Sequence, residues 1–188
     1  MENEQNNDNL ELLNELYKNL RIATQSIENI LSCIKLDDIT LELSKESSQY
    51  YVFEKEATMI AKAQNYNLKD NNFIQKSQVW LSVKANLLSS STTQHIAEML
   101  LVGSMMGIID LVKALTNNDR ADEEIKDLVN KVLEFERNNV ENLFEYLKVK
   151  PQKIENDNTK ENSKDENVDG KSDCINEQET INSNDEEN

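Results

Sequence analysis

Apolar side chains recur at three- and four-residue steps in four long stretches of the chain, with polar residues between them. Leu13, Leu16, Leu20, Ala23, Ile27, Ile30 and Ile34 form the first row, which predicts a helix from about Asp8 or Asn9, both good N-caps, to Ile34. After a turn at Asp37 and Asp38, the row Ile39, Leu43, Tyr50, Phe53, Ala57 and Ile60 predicts a second helix, to about Tyr66. So short a connection makes these two an antiparallel hairpin. The stretch "SSSTTQHIAEMLLVGSMMGIIDLVKAL" is the most apolar of the chain and predicts a third helix, from Ser91 or Thr92 to about Thr116. Ser91 and Gln94 have the spacing of a capping box there. A fourth helix is expected from about Asp122 to Lys148, with Ile125, Val129, Val132, Leu143 and Leu147 on one side. Asp122, Glu123 and Glu124 in its first turn, and Lys148 and Lys150 near its end, complement the helix dipole.

Between the hairpins, Phe73, Trp80, Val83 and Leu87 fit a shorter helix at about Asn72 to Leu88. Such a helix spans roughly 25 Å and carries the chain back to the end where the second helix began. The expected fold is therefore all-α, a bundle of two antiparallel hairpins joined by a long crossover that contains a short extra helix. Three glycines and one proline agree with long helices and few turns. Residues 8–150 form the bundle domain and 1–7 a flexible lead. From Pro151 onward isolated apolar residues stand among Asn, Asp, Glu, Lys and Ser, so residues 151–188 are expected to be a disordered acidic tail.

The net charge is −16, and half of it falls in the tail, which has 4 lysines against 12 acidic residues. Such a surface repels phosphate, so neither nucleic acid nor an anionic membrane is an expected partner. Cys33 and Cys174 lie far apart with no paired spacing, which indicates neither a disulfide scaffold nor a zinc cluster. The opening "MENEQNNDNL" has no basic region leading into an apolar core, and the apolar run from Met99 to Ile109 is short for a bilayer. A soluble cytoplasmic protein is expected.

Hairpin, long crossover and hairpin is the helix order of ferritin-like bundles. The segments "YYVFEKEATMIAKA" and "SSSTTQHIAEMLLVGSMMGIIDLVKAL" also resemble small bacterial ferritin-like proteins of unassigned function, over about residues 8 to 148. The resemblance implies the four-helix architecture. It does not extend to the usual di-iron ligands, a Glu on two helices and Glu-x-x-His on the other two. Glu54 is followed three residues later by Ala57 and Glu136 by Asn139, while His95 and Glu98 give the reverse order. One histidine excludes a standard two-histidine centre.

With the second and third helices parallel, Glu28, Glu46, His95 with Glu98, and Glu136 or Asn139 fall at similar depth. Glu46 shares the row of Leu43, Tyr50 and Phe53, Glu136 that of Val129, Val132 and Leu143, and Glu98 that of Leu101, Met105, Ile109 and Val112. Glu28, Glu46, His95, Glu98 and Glu136 are therefore the candidate ligands for a divalent metal, Fe, Mn or Zn, because buried carboxylates and imidazoles need partners. The other reading makes them boundary residues paired with Lys45, Arg137, Tyr50 or Tyr51, or facing water.

Met99, Met105 and Met106 are expected in the core, where methionine fills irregular space. Tyr17, Tyr50, Tyr51 and Trp80 are expected to be packing groups. Gly103 and Gly107 cost helix stability, so something must approach them closely. Another helix or Trp80 is the first reading, and a homodimer contact between third helices the second.

No nucleophile motif, phosphate-binding loop or cofactor fingerprint occurs in the chain. The expected function is accordingly non-catalytic, through self-association or a protein partner. A carboxylate and histidine metal site with oxidase or storage activity is the alternative, and an acidic mimic of nucleic acid the weaker one.

Overall fold

The computed structural model describes residues 2–34, 37–69 and 92–148. These residues form four helices, α1 (Glu2–Cys33), α2 (Asp37–Ala63), α3 (Thr93–Asn117) and α4 (Glu123–Leu147). The expected helix at 72–88 and the expected tail at 151–188 lie outside the described residues.

Helix directions follow from a few hydrogen bonds. At one end of the bundle Asn9 near the start of α1 meets Gln64 and Tyr66 just beyond α2, and Asp122 at the start of α4. The Asp8 carboxylate accepts from the Arg120 N–H, in the turn after α3. The start of α1 therefore sits beside the ends of α2 and α3 and the start of α4. Hence α2 and α3 run parallel, each antiparallel to α1 and α4. α1 packs against α2 and α3, and α4 closes the square against the same two helices.

α1 begins at Glu2, ahead of the expected Asp8 or Asn9, so the stretch expected as a flexible lead is its first two turns. Asn9 is instead buried inside the helix, where its amide is consumed by tertiary bonds and is not needed as a cap. α3 begins as its sequence predicts, with the Thr92 hydroxyl accepting from the His95 N–H at 3.2 Å.

The core is the expected row of each hairpin. Leu13, Leu16, Leu20, Ile27 and Ile30 of α1 are buried against Ile39, Leu43, Tyr50, Phe53, Ala57 and Ile60 of α2. On α4 the buried row is Ile125, Leu128, Val129, Val132, Leu133 and Leu143. Phe135 of α4 meets Tyr50 and Phe53 edge-on, with centroids 5.1 and 5.5 Å apart.

α3 departs from expectation. Ile96, Ala97, Met99, Leu101, Leu111 and Ala114 are buried, but Met105, Ile109 and Val112 face outward, and so does Glu98. Met106 is 61% exposed, so two of the three methionines expected in the core lie on the surface. A helix apolar all round gives periodicity no preferred face, and only its neighbours decide which side is inward. Among the described residues α3 is also the one helix long and apolar enough to cross a membrane. Its apolar character runs beyond the short segment Met99 to Ile109.

Candidate functional site

On α2, Glu46 lies three residues after Leu43 and four before Tyr50, so the inward row carries a carboxyl into the interior. On α4, Glu136 follows Val132 and Leu133 by one turn and precedes Asn139 and Leu143, with the same result. Both glutamates are buried, at 5% and 1% exposure. Tyr50 stands between them. Its hydroxyl donates to Glu136 Oε1 at 2.7 Å and accepts from Asn139 Nδ2 at 3.4 Å.

This cluster forms the floor of a groove between α1 and α3, with a cavity of about 440 Å³. Ile22, Ala23 and Ile27 of α1 face Met99, Leu100 and Val102 of α3 across it. The small residues Ala23, Ser26, Gly103, Ser104 and Gly107 leave the space that larger side chains would fill. The two glycines differ in what they meet. A Cβ on Gly107 would stand 3.2 Å from the Asn19 amide of α1, which also donates to the Gly107 carbonyl at 3.2 Å. That is the close helix approach the sequence implies. Among the described residues nothing lies within 4 Å of a Cβ built on Gly103.

The cluster is incompletely satisfied. Glu46 Oε1 and Glu136 Oε2 are buried and have no hydrogen-bond partner among the described residues. A buried, unpaired carboxylate is costly, and the proton is the cheapest compensation. Burial, and then the charges of Glu42 and Glu136, push Glu46 up to about 8. Burial also raises Glu136, against the Tyr50 hydrogen bond and the nearby Ser104 hydroxyl, which act to lower it. Tyr50 is pushed well above its ordinary value, chiefly by burial and then by the neighbouring carboxyls. Near neutral pH Glu46 therefore holds its proton.

The five residues read from the sequence as ligands occupy three places. Glu46 and Glu136 come together on the groove floor. Glu28 accepts from the exposed Tyr51 hydroxyl at the edge of the first hairpin. His95 and Glu98 form a pair with Nδ1 3.7 Å from Oε2 on the outer side of α3, both well exposed. Among the described residues no three His, Cys, Asp or Glu side chains are grouped to hold a metal ion.

Tyr50, read from the sequence as a packing group and, in the second reading, as a partner for the carboxylates, is the hydrogen-bonding centre of the cluster, and Tyr51 pairs with Glu28 in the same way. The position of Tyr50 one turn after an inward glutamate was the available signal. Ser104 stood out in the sequence only as a neighbour of the glycines.

No protein family, curated protein or solved structure gives a match to this chain.

Proposed function

We propose that this protein is a non-catalytic, ferritin-like bundle that acts by binding, and that the outer face of α3 joins two copies of it. The helix order supports the architecture, since two antiparallel hairpins with α2 and α3 parallel require a connection along the full length of the bundle.

The observation that carries the binding role is the outward row of α3. Val102, Met105, Met106, Ile109 and Val112 are 43–61% exposed and follow one another at helical spacing. Contiguous apolar surface of this kind marks interaction sites. A second copy is the occupant that suits it. A net charge of −16 disfavours self-contact through charged surface, whereas this row is uncharged, and a twofold axis sets the same row against itself. Gly103 and Gly107 both line the groove toward α1 and are not part of the contact.

Light scattering of the full chain tests this. The wild type should have the mass of a dimer, and Met105→Glu with Ile109→Glu should give a folded monomer. A wild type monomeric at all accessible concentrations overturns the proposal, as that result would mean the row is covered within one chain or by a different partner.

A further inference from the structure

The groove between α1 and α3 has a feature that self-association does not use. Its walls are mostly hydrocarbon, and the two glutamates on its floor, at least nine-tenths buried, carry oxygens without a partner among the described residues, Glu46 Oε1 and Glu136 Oε2. A structural polar group in a helical core is normally satisfied by its neighbours. Two orphan oxygens here belong to residues that line one cavity.

The chemistry of the site selects the donor. Once Glu46 has given up its proton the two carboxyls supply negative charge and acceptors only, and the group that then completes the site is cationic. A transition-metal ion held tightly requires three or four charged or imidazole ligands, and the floor offers two carboxyls, with His95 on the far side of α3. A primary ammonium presents three N–H donors, matching Glu46 Oε1, Glu136 Oε2 and the Ser104 hydroxyl beside Glu136. The walls then accept an aliphatic or aromatic body. A volume of about 440 Å³ falls within the range of roughly 300–1,000 Å³ found for small-molecule sites. The net charge of −16 draws organic cations toward the protein and repels fatty acids and phosphates.

We infer that the α1–α3 groove binds a small organic amine, its ammonium group on Glu46 and Glu136 and its hydrocarbon along Ile22, Ile27, Met99 and Leu100.

Binding the cation favours ionised carboxyls, so a proton leaves as the amine enters. The groups facing Glu46 are Glu42 and Tyr50 of its own helix and Glu136 of α4, and Lys18 of α1 and Asp110 of α3 stand on the groove wall. Between pH 6 and 8, where an alkylammonium stays charged, affinity should rise with pH, by up to about tenfold per unit for one proton released.

Calorimetric titration of the full chain with octylammonium, and with 1-octanol as its neutral counterpart, tests the assignment. Octylammonium should bind one per chain and at least tenfold more tightly than octanol. Glu136→Gln and, separately, Glu46→Gln should each weaken the ammonium at least tenfold and leave octanol unchanged, with circular dichroism showing that at least one of the two variants is folded. Equal binding of ammonium and octanol would reduce the groove to an apolar crevice and overturn the inference. So would binding of Mn²⁺ or Zn²⁺, lost in the same variants, without binding of the amine. Failure of octylammonium to bind at any pH between 6 and 8 would overturn it as well.

Discussion

Asn9, at the end of the bundle where α1 begins, is as deeply buried as Glu136 in its middle, yet the two side chains are treated in opposite ways. The Asn9 amide donates to Asp122 Oδ2 at 2.7 Å and lies within 3.5 Å of the Tyr66 hydroxyl and Gln64 Oε1, while its carbonyl accepts from the Asp122 N–H at 2.7 Å. That cluster ties α1 to the start of α4 and to the chain after α2. Nothing in it lacks a partner. Around Glu136 the hydroxyl of Tyr50 satisfies one oxygen, and the other, like Oε1 of Glu46, is left without a donor among the described residues beside an open groove. The contrast separates a polar cluster that holds helices in register from one that is kept short of a ligand. Burial alone does not distinguish them.

The largest expected effect sharpens the contrast through pH. In the unfolded chain Glu46 titrates near 4.5, and in the folded protein near 8. Between these values the unfolded chain has lost a proton that the folded one keeps, so stability falls as pH rises through that window. The fall from this group is at most about 5 kcal/mol, and Glu136 adds to it in the same direction. Urea unfolding at pH 5 and pH 8 should show the loss in the wild type, and Glu46→Gln should remove most of the slope. A wild type equally stable at both values would show that the glutamates are not buried as described.

Asn9→Ala is the counterpart at the other cluster. It removes the partner of the Asp122 N–H and one of the donors to its carboxylate, which Gln5 and Gln64 still serve, and should cost about 2 kcal/mol. The cost should be the same at pH 5 and pH 8, because Asn9 does not titrate. A pH-dependent cost would erase the distinction between the two clusters.

Tyr50→Phe keeps the ring against Phe135 and removes only the donor to Glu136. It should lower stability by about 1 kcal/mol at pH 5 and by more at pH 8, where the ionised carboxylate has the greater need of that hydroxyl. The pH at which stability is half lost should move downward.

The smallest effect separates the glycines. Gly103→Ala should raise stability by up to about 1 kcal/mol through helix propensity, since its new methyl meets nothing within 4 Å among the described residues. Gly107→Ala gains the same propensity but pushes its methyl to 3.2 Å from Asn19, so thermal melting should rank it below Gly103→Ala. The reverse ranking would mean that the space at Gly103 is closed.

The hairpins and their cores were legible because α1, α2 and α4 each have one apolar row and polar residues elsewhere. Leu13, Leu16, Leu20, Leu43, Phe53, Val129 and Val132 could be placed inward from spacing alone. The same reasoning put Glu46 and Glu136 inside, since each sits on such a row. It failed for Glu98, Met105 and Ile109, because α3 is apolar on every side and its row could be drawn through either face. It also missed the end of the bundle, where Asn9 reads as a cap from local sequence and is drawn inward by partners on distant segments, Gln64, Tyr66 and Asp122.

The sequence by itself determined the helical class, the hairpin pairing, the inward rows of three helices and the carboxyls they carry, because those follow from periodicity and short connections. Tertiary structure alone decided which side of α3 meets the core, that His95 and Glu98 stay outside with each other, and that Tyr50 joins Glu136 while two oxygens go unpaired. Those outcomes depend on how helices distant in the chain are rotated against one another. Local spacing fixes a residue's position on its own helix and leaves open which helix it will face.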